Sequence, residues 1–530
     1  MDLTSGNTSS RIFGKPRIEL DLEVISPIHI GTREGRLGPT EFVWAEGRVY
    51  FIDEKLLAVY LSEKNLVDKF VGEVRRGPFK MVDFLKNFKL QGDLPRICAM
   101  SIPGGDPNMQ DFRPFVRDAS GTVFLPGTSL KGTFRTAILY RALKESDKLL
   151  RLIESKISSD PSKVINYKRK TYSEEELQRG LMENFVLPGS PKTKIPNTDI
   201  LRCLTIRDAY PVSEVRTQVI QIKFLSKSGS GTHYWSQVKK GTPKDLGIWV
   251  ECVTEGTFRL ELIWDEKLYN VFKESNIQVS IPVKGIDDIL ESVKRMNEDL
   301  INHDIDFYNS TGKQVNNDPF FAARSLGDWY SGLRDDGKNV IRIGFGSGML
   351  STTVNLALKN VLRQKIRDAC GSGPRPNDPA PKSRRVWRYS EKEVLPMGWL
   401  RWRVADPNLK PLPPEFSEKA AKKVIIEKPR ERTEISRAAS GQGSFPLQTN
   451  VETWETAQVR WNRGNDEVTA SFEGKKATGK GRELLSEAIS NLIVNKQKKG
   501  KFVTAKVTVE VISESYRRIQ SIEISNENNN

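Results

Sequence analysis

The feature that most constrains the fold is a strand, glycine bend and helix pattern near residue 125. The apolar run Val123–Leu125 predicts a strand, and Pro126-Gly127 predicts a tight turn after it. A helix follows, and the hydroxyl of Thr128 or Ser129 is expected to cap its first turn. The chain therefore alternates sheet and helix around glycine bends, which predicts an α+β fold.

Two cations follow this bend. Lys131 and Arg135 lie four residues apart and share one face of the predicted helix, while Leu130, Phe134 and Ile138 form its apolar face. Because free amides at a helix N-terminus favour anions, the pattern indicates a phosphate site. The alternative is a capped helix with a solvated basic edge.

A second bend, Gly344-Phe-Gly346-Ser347-Gly348, lies between the predicted strand Val340–Gly344 and a helix, with Arg342 just before it. Glycines there allow backbone amides to approach a phosphate closely. The spacing matches neither a Walker loop nor a dinucleotide fingerprint. A plain strand-to-helix turn is the competing interpretation.

A third glycine-rich run, 474–481, resembles a P-loop in its spacing. Gly481 replaces the hydroxyl residue of a P-loop, so we expect a lysine-rich loop there rather than a nucleotide site.

Composition narrows the class of protein. The 530 residues include 83 Lys and Arg against 67 Asp and Glu, a net charge of +16 that favours a polyanionic partner. The four cysteines have no short-spaced pair and there are three histidines, so we expect no metal site, no cofactor and a reducing compartment. The sequence contains no apolar leader and no apolar run of membrane-spanning length, which predicts a cytoplasmic protein.

The sequence predicts several strands. A first strand alternates apolar and polar residues from Arg17 to Val24, a hairpin spans 41–52, and a second hairpin is expected over 247–265.

The organisation along the chain predicts six regions. The regions are a disordered N-terminus (1–16), a first sheet-and-helix region (17–143), an inserted basic subdomain (144–195), a second region with the glycine-rich loop (196–370), a Pro/Gly/charge-rich linker with a tryptophan island (371–450), and a small α+β C-terminal module (451–530) with strands 468–472 and 502–513 around a helix 481–495.

Two histidines are candidate general bases. His29 follows the first strand, and His233 begins the sequence His-Tyr-Trp. Neither has an evident partner in the sequence. The His233 segment is also a plausible stacking platform for bases, because aromatic faces accept any base. An aromatic anchor beneath a loop is the alternative.

Taken together, these segments resemble the RAMP superfamily of type III CRISPR effector complexes. The matching pieces occur in the expected order over about 17–369: Ser26-Pro-Ile-His-Ile-Gly31, Leu125-Pro-Gly-Thr-Ser-Leu-Lys-Gly-Thr-Phe-Arg-Thr-Ala137, Glu251-Cys-Val-Thr-Glu-Gly-Thr-Phe258 and Arg342-Ile-Gly-Phe-Gly-Ser-Gly348. Within the superfamily, Pro381-Lys-Ser-Arg384 and Pro396-Met-Gly-Trp-Leu400 look most like the Csm-type subunit that caps the backbone filament at the 3′ part of the guide RNA.

The resemblance implies ferredoxin-like (RRM-like) domains and a role in holding crRNA beside target RNA and neighbouring Cas7-type subunits. The residues that it assigns to the RNA are His29, Gly31, Thr128, Ser129, Lys131, Arg135, Arg342, Gly344, Gly346, Ser347, Gly348, Lys382 and Arg384.

One departure bears on catalysis. Cleaving subunits of the family carry an aspartate in the loop after the first strand, whereas this loop has Glu34 and no Asp. We therefore expect no target-RNA cleavage, and Glu34 is the residue to test if cleavage is found. Two alternatives remain: a metal-independent endoribonuclease that processes crRNA with His29 or His233, and a freestanding RNA-binding protein.

Overall fold

The computed structural model describes residues 10–12, 15–32, 35–159, 165–166, 171–172, 175–185, 197–237, 247–276, 282–309, 318–337, 339–370, 377–390, 393–410, 412, 451–462, 467–473, 475–480, 484–485, 503–511 and 517–524. The chain forms two compact units, residues 1–426 and 427–530. In the described part, no helix combines the length and the apolar character needed to cross a bilayer.

The strands are β1 Ser10–Ile12, β2 Lys15–Val24, β3 Phe42–Ala45, β4 Arg48–Ile52, β5 Cys98–Pro103, β6 Ile165–Asn166, β7 Thr171–Tyr172, β8 Leu204–Ile206, β9 Tyr210–Pro211, β10 Arg216–Lys227, β11 His233–Trp235, β12 Gly247–Glu255, β13 Thr257–Trp264, β14 Val340–Arg342, β15 Ser383–Arg388, β16 Val394–Pro396, β17 Trp399–Val404, β18 Val451–Asn462, β19 Glu467–Phe472, β20 Lys475–Lys480, β21 Val503–Val511 and β22 Arg517–Ile524. The α-helices are α1 Glu54–Glu63, α2 Val67–Arg75, α3 Met81–Asn87, α4 Leu94–Ile97, α5 Gly127–Lys144, α6 Asp147–Ser159, α7 Glu175–Leu181, α8 Glu266–Ser275, α9 Ile286–Tyr308, α10 Asp318–Asp335, α11 Met349–Thr352 and α12 Asn360–Cys370.

The first unit is built on a sheet with the order β14-β17-β2-β13-β8. Its strands β17, β2, β13 and β8 are antiparallel to their neighbours and stand fourth, first, third and second along the chain. Helix α5 lies between the first and second of these strands, and α9 between the third and fourth. This is the ferredoxin-like arrangement, so the predicted fold class is confirmed.

Apolar residues at alternate positions of β2 hold the two helices on this sheet. Leu20 and Leu22 are buried in one core with Leu130 and Phe134 of α5 and Val293 of α9. The predicted polar face of β2 is not uniformly solvated. Asp21 is fully buried, and Arg259 of the neighbouring strand β13 donates a hydrogen bond to it at 2.6 Å, which compensates the buried charge.

The second predicted hairpin is wrong, whereas the first, β3–β4, is present. Strand β12 pairs with β10 in a second sheet, and β13 pairs with β2 in the first. At Gly256 the chain passes from one sheet to the other with φ +138°, and a Cβ there would lie 2.8 Å from Val215 Cγ2. A short turn with two strand-like flanks does not reveal that each flank has a better partner elsewhere.

The predicted boundaries within the first unit do not separate compact units. The single main sheet takes β2 from 17–143, β8, β13 and β14 from 196–370, and β17 from 371–450. The tryptophan island is therefore part of the core rather than of a linker, and Trp399 is fully buried. In the predicted disordered N-terminus, β1 pairs with the start of β2.

The second unit is a closed barrel with the order β18-β19-β20-β22-β21. Strands β20 and β22 are parallel, and the other neighbours are antiparallel. This is the strand order of an OB-type barrel. Its core of alternating small and β-branched residues includes Val459, Ala470 and Val507. The predicted module is thus a barrel, and its lysine-rich run 475–480 is a strand rather than a loop. The predicted helix 481–495 lies largely outside the described residues.

Candidate functional site

The glycine loop after β14 requires its glycines. Gly344, Gly346 and Gly348 have φ values of +76°, +94° and +84°. A Cβ on Gly344 would overlap the carbonyl oxygen of His29, and one on Gly346 would lie 2.8 Å from Met397 Cβ. The amide of Phe345 donates to the same His29 carbonyl at 2.8 Å. The loop is therefore fixed against the segment that follows β2.

The side chain of His29 packs against this loop. Its ring is buried and lies edge-on to Phe115 and Phe345, with centroids at 6.1 and 5.8 Å. Its Nδ1 is 2.7 Å from the Glu251 carbonyl oxygen. Burial lowers the pKa of His29 to about 4, so the ring is neutral at pH 7. This histidine positions the loop and is poorly placed as a solvent-facing base.

Two of the predicted RNA-contacting arginines lie inside the protein. Arg342 and Arg384 hold the two oxygens of Asp304 at 2.9 and 2.8 Å, and all three side chains are buried. Burial alone would raise the pKa of Asp304, but Arg384 and Arg342 keep it far below its usual range. The cluster has two cations for one carboxylate, so it carries an excess positive charge.

Two arginines that the sequence pattern did not single out lie over the ring of Phe345. The guanidinium carbons of Arg113 and Arg385 are each 5.0 Å from the Phe345 ring centroid. Neither arginine forms an ion pair among the described residues, and the Nε of each is buried without an acceptor. Burial lowers the pKa of Arg385, and the Arg113 and Arg342 charges lower it further.

Arg385 opens onto a cavity of about 270 Å³, which we call the glycine-loop pocket. The pocket is lined by Leu300, Asp304, Arg342, Gly346, Ser347, Gly348, Met349, Leu350, Pro381, Ser383, Arg384 and Arg385. It combines a fixed loop with unneutralised positive charge. Such a surface attracts an anionic ligand.

The bend before α5 has a different electrostatic balance. Asp208 accepts a hydrogen bond from the amide of Gly127 at 2.7 Å, so a carboxylate already occupies this helix N-terminus. The expected hydroxyl cap is absent: α5 begins at Gly127, and neither Thr128 nor Ser129 caps it. Lys131 donates to the Leu204 carbonyl at 2.8 Å, and Arg135 pairs with Asp199 at 2.5 Å.

The remaining predicted residues are dispersed. His233 is buried, with Nε2 3.2 Å from the Phe307 carbonyl oxygen, and burial lowers its pKa to about 4. Lys382 pairs with Asp378 at 2.6 Å and lies 5.5 Å from the Tyr234 ring centroid. A Cβ on Gly31 would lie 3.2 Å from His29 Nε2, so Gly31 belongs to the loop support. Glu34 lies outside the described residues. Across the described chain, no three His, Cys, Asp or Glu side chains gather as a metal site would need.

The ferredoxin-like sheet and the glycine loop agree with the class of protein that the sequence resembles, the RAMP superfamily. A family comparison gives the same result. The model of the RAMP superfamily matches residues 21–347, so the chain belongs to this superfamily.

Individual relatives narrow the similarity. The chain is 22% identical over 412 residues to the CRISPR system protein Csm5 of Methanocaldococcus jannaschii, covering 72% of this chain and 88% of that protein. It is 28% identical over 134 residues to Csm5 of Streptococcus thermophilus, covering 23% of this chain and 37% of that protein. It also shares its fold with a chain of a type III-A Csm–crRNA–target RNA complex, with a TM-score of 0.52, 21% identity, and coverage of 73% of this chain and 100% of that chain.

Proposed function

We propose that the chain is a structural subunit of a type III CRISPR effector complex that holds crRNA and caps the backbone filament near the crRNA 3′ end. Its partners are crRNA, target RNA and neighbouring Cas7-type RAMP subunits, and the complex acts in antiviral defence in the cytoplasm. Membership of the RAMP superfamily and the similarity to Csm5 proteins support this proposal. The shared fold with a chain of a crRNA-containing complex is consistent with it.

The observation that carries the proposal is the pair of cations beside the glycine loop. Arg113 and Arg385 both lie over the Phe345 ring and have no counter-ion among the described residues. RNA phosphates would supply the missing negative charge, and binding them would release condensed counterions. The fixed loop would position the sugar-phosphate backbone, and contacts to phosphates carry no sequence information.

Affinity for RNA tests the proposal directly. In the full-length protein, Arg113→Gln with Arg385→Gln should weaken binding of labelled single-stranded RNA about tenfold or more, without sequence preference. The log–log slope of affinity against salt should become shallower by about 0.7 for each phosphate that the variant no longer neutralises. Lys267→Gln with Arg324→Gln is the matched control, because both side chains are exposed and the charge change is equal.

A parallel variant tests the residues that the resemblance assigned to the RNA. Lys131→Ala with Arg135→Ala removes the two cations of the α5 bend, whose charges face internal partners. A large loss of affinity in this variant, with none in the Arg113 and Arg385 variant, would transfer the proposed groove to that bend. Unchanged RNA affinity in both double variants would overturn the proposal that these two bends hold RNA.

We propose that the subunit does not cleave RNA. Both candidate bases, His29 and His233, are buried with lowered pKa values, so neither ring is placed to take a proton from a bound RNA hydroxyl. Incubation of the purified protein with repeat RNA and EDTA should leave the RNA intact. Cleavage that is lost in His29→Ala or His233→Ala would establish the endoribonuclease alternative instead.

A further inference from the structure

A second cavity, of about 390 Å³, lies between the turn after β10, the end of α9 and the first turns of α12. Lys227, Ser228, His303, Asp306 and Arg363 are among the residues that line it. Arg363 is 8% exposed. Its Nε and Nη1 atoms are buried and have no hydrogen-bond acceptor among the described residues.

Four arginines in the described part of the chain are less than a tenth exposed, and Arg363 differs from the other three in its lack of a carboxylate partner. Arg141 pairs with Asp288, and Arg342 and Arg384 share Asp304. Arg363 has no carboxylate partner there. A buried charge without a counter-ion is costly, and proteins nearly always pair it. The absence of an internal partner beside an open cavity indicates that the partner is a ligand.

The surroundings of Arg363 add positive charge. Burial lowers the pKa of Arg363, and the charge of Arg384 lowers it further. Lys227 lines the same cavity and donates to the Phe307 carbonyl at 2.8 Å. Asp306 is the carboxylate in the lining, and it faces Lys227 as well. Burial lowers the pKa of His303, so this ring adds no charge at pH 7.

We propose that this cavity binds a phosphate group of a nucleotide, with Arg363 as the main ligand and Lys227 as the second cation. A guanidinium presents several donors in a fixed fork, which suits phosphate oxygens. The hydroxyl of Ser228 and the amide of Asn360 are neutral donors in the same lining. The cavity volume is in the range of small-molecule sites.

The nucleotide has two possible sources, a free mononucleotide or a nucleotide of bound RNA. The first does not depend on the proposed RNA role, whereas the second rests on it. The experiment uses the full-length protein with 5′-AMP and inorganic phosphate as probes in calorimetry at constant ionic strength, and with labelled single-stranded RNA in a separate titration. Arg363→Gln is compared with Lys365→Gln, which changes an exposed cation on the same helix.

We expect the wild type and Lys365→Gln to bind alike, and Arg363→Gln to bind about 10–100-fold more weakly, as for the loss of a charge-assisted hydrogen bond. A loss confined to AMP and phosphate identifies a free nucleotide, and a loss confined to RNA identifies the bound strand. Arg363→Lys, which keeps the charge, should retain part of the affinity and shows that the loss is not a folding defect.

Two results would overturn the proposal. One is that the wild type binds neither AMP nor phosphate, and that RNA affinity is equal in the wild type and Arg363→Gln. The other is that Arg363→Gln binds every probe as tightly as the wild type. The Arg113 and Arg385 variant should keep its AMP affinity, so that failure of the RNA-holding role and failure of this phosphate site give different outcomes.

Discussion

The two glycine bends of the first unit look alike in sequence and differ in charge balance. At the α5 bend, Asp208 occupies the helix N-terminus, and Arg135 faces Asp199. At the glycine loop, Arg113 and Arg385 face no carboxylate among the described residues. The same elements, glycine, helix and cations, thus build a closed structural joint in one place and a surface with unneutralised charge in the other. Counter-ions, rather than cations, distinguish the two.

The largest expected effect comes from removing the carboxylate beneath the glycine loop. Asp304→Asn leaves Arg342 and Arg384 buried without their shared partner. We expect a loss of about 3–5 kcal/mol in the free energy of unfolding, measured by urea denaturation. Asp335→Asn, at an exposed ion pair, is the control and should cost less than about 1 kcal/mol. Equal costs would mean that the buried cluster does not depend on its counter-ion.

Two glycines of the loop offer a matched pair. Gly344→Ala strains a positive φ and places a Cβ against the His29 carbonyl, so it should cost about 2–4 kcal/mol. Gly348→Ala strains a similar φ but meets no atom within 4 Å, so it should cost about 1–2 kcal/mol. Urea denaturation measures both variants. If both cost the same, contact with the His29 carbonyl does not fix the loop.

The buried ring of His29 predicts a pH dependence. The ring titrates near 6.5 in an unfolded chain and near a pKa of about 4 in the folded protein. Between these values the unfolded chain binds more protons, so stability falls as the pH drops from 6.5 to 4 and levels off below. The shift corresponds to about 3 kcal/mol.

The test compares the wild type with His29→Gln at pH 7.5 and near pH 4. The stability advantage of the wild type should shrink by about 3 kcal/mol at the lower pH. His233 has a similar lowered pKa and is present in both proteins, so its contribution cancels in the difference. An advantage that does not change with pH would show that the ring accepts a proton in place.

Much of the fold follows from local pattern, and the charge balance does not. Alternating apolar residues predict β2, and the glycine spacing predicts the loop, because both depend on neighbours in sequence. The partners Arg135–Asp199 and Arg384–Asp304 are 64 and 80 residues apart, so spacing carries no sign of them. One signal was available for Arg385: successive strand residues face opposite ways, so it and Arg384 cannot share an environment.

The smallest expected effect on stability is found by comparing the substitution of one cation at each bend. Arg135→Gln leaves Asp199 without its ion pair and should cost about 1.5–3 kcal/mol of stability. Arg385→Gln removes a half-buried cation that Arg113 and Arg342 repel, although the Phe345 ring then loses a favourable cation above its face. For Arg385→Gln we expect the free energy of unfolding to stay the same or to rise by up to about 1 kcal/mol.

RNA affinity should respond in the opposite order, with a loss for Arg385→Gln and little change for Arg135→Gln. Thermal or urea denaturation gives the stability of each variant, and a titration with labelled RNA gives the affinity. A charge kept without an internal partner carries a stability cost that a bound phosphate would offset. If Arg385→Gln destabilised the protein as much as Arg135→Gln and left RNA affinity intact, the cation at the glycine loop would be structural, and the two bends would be equivalent.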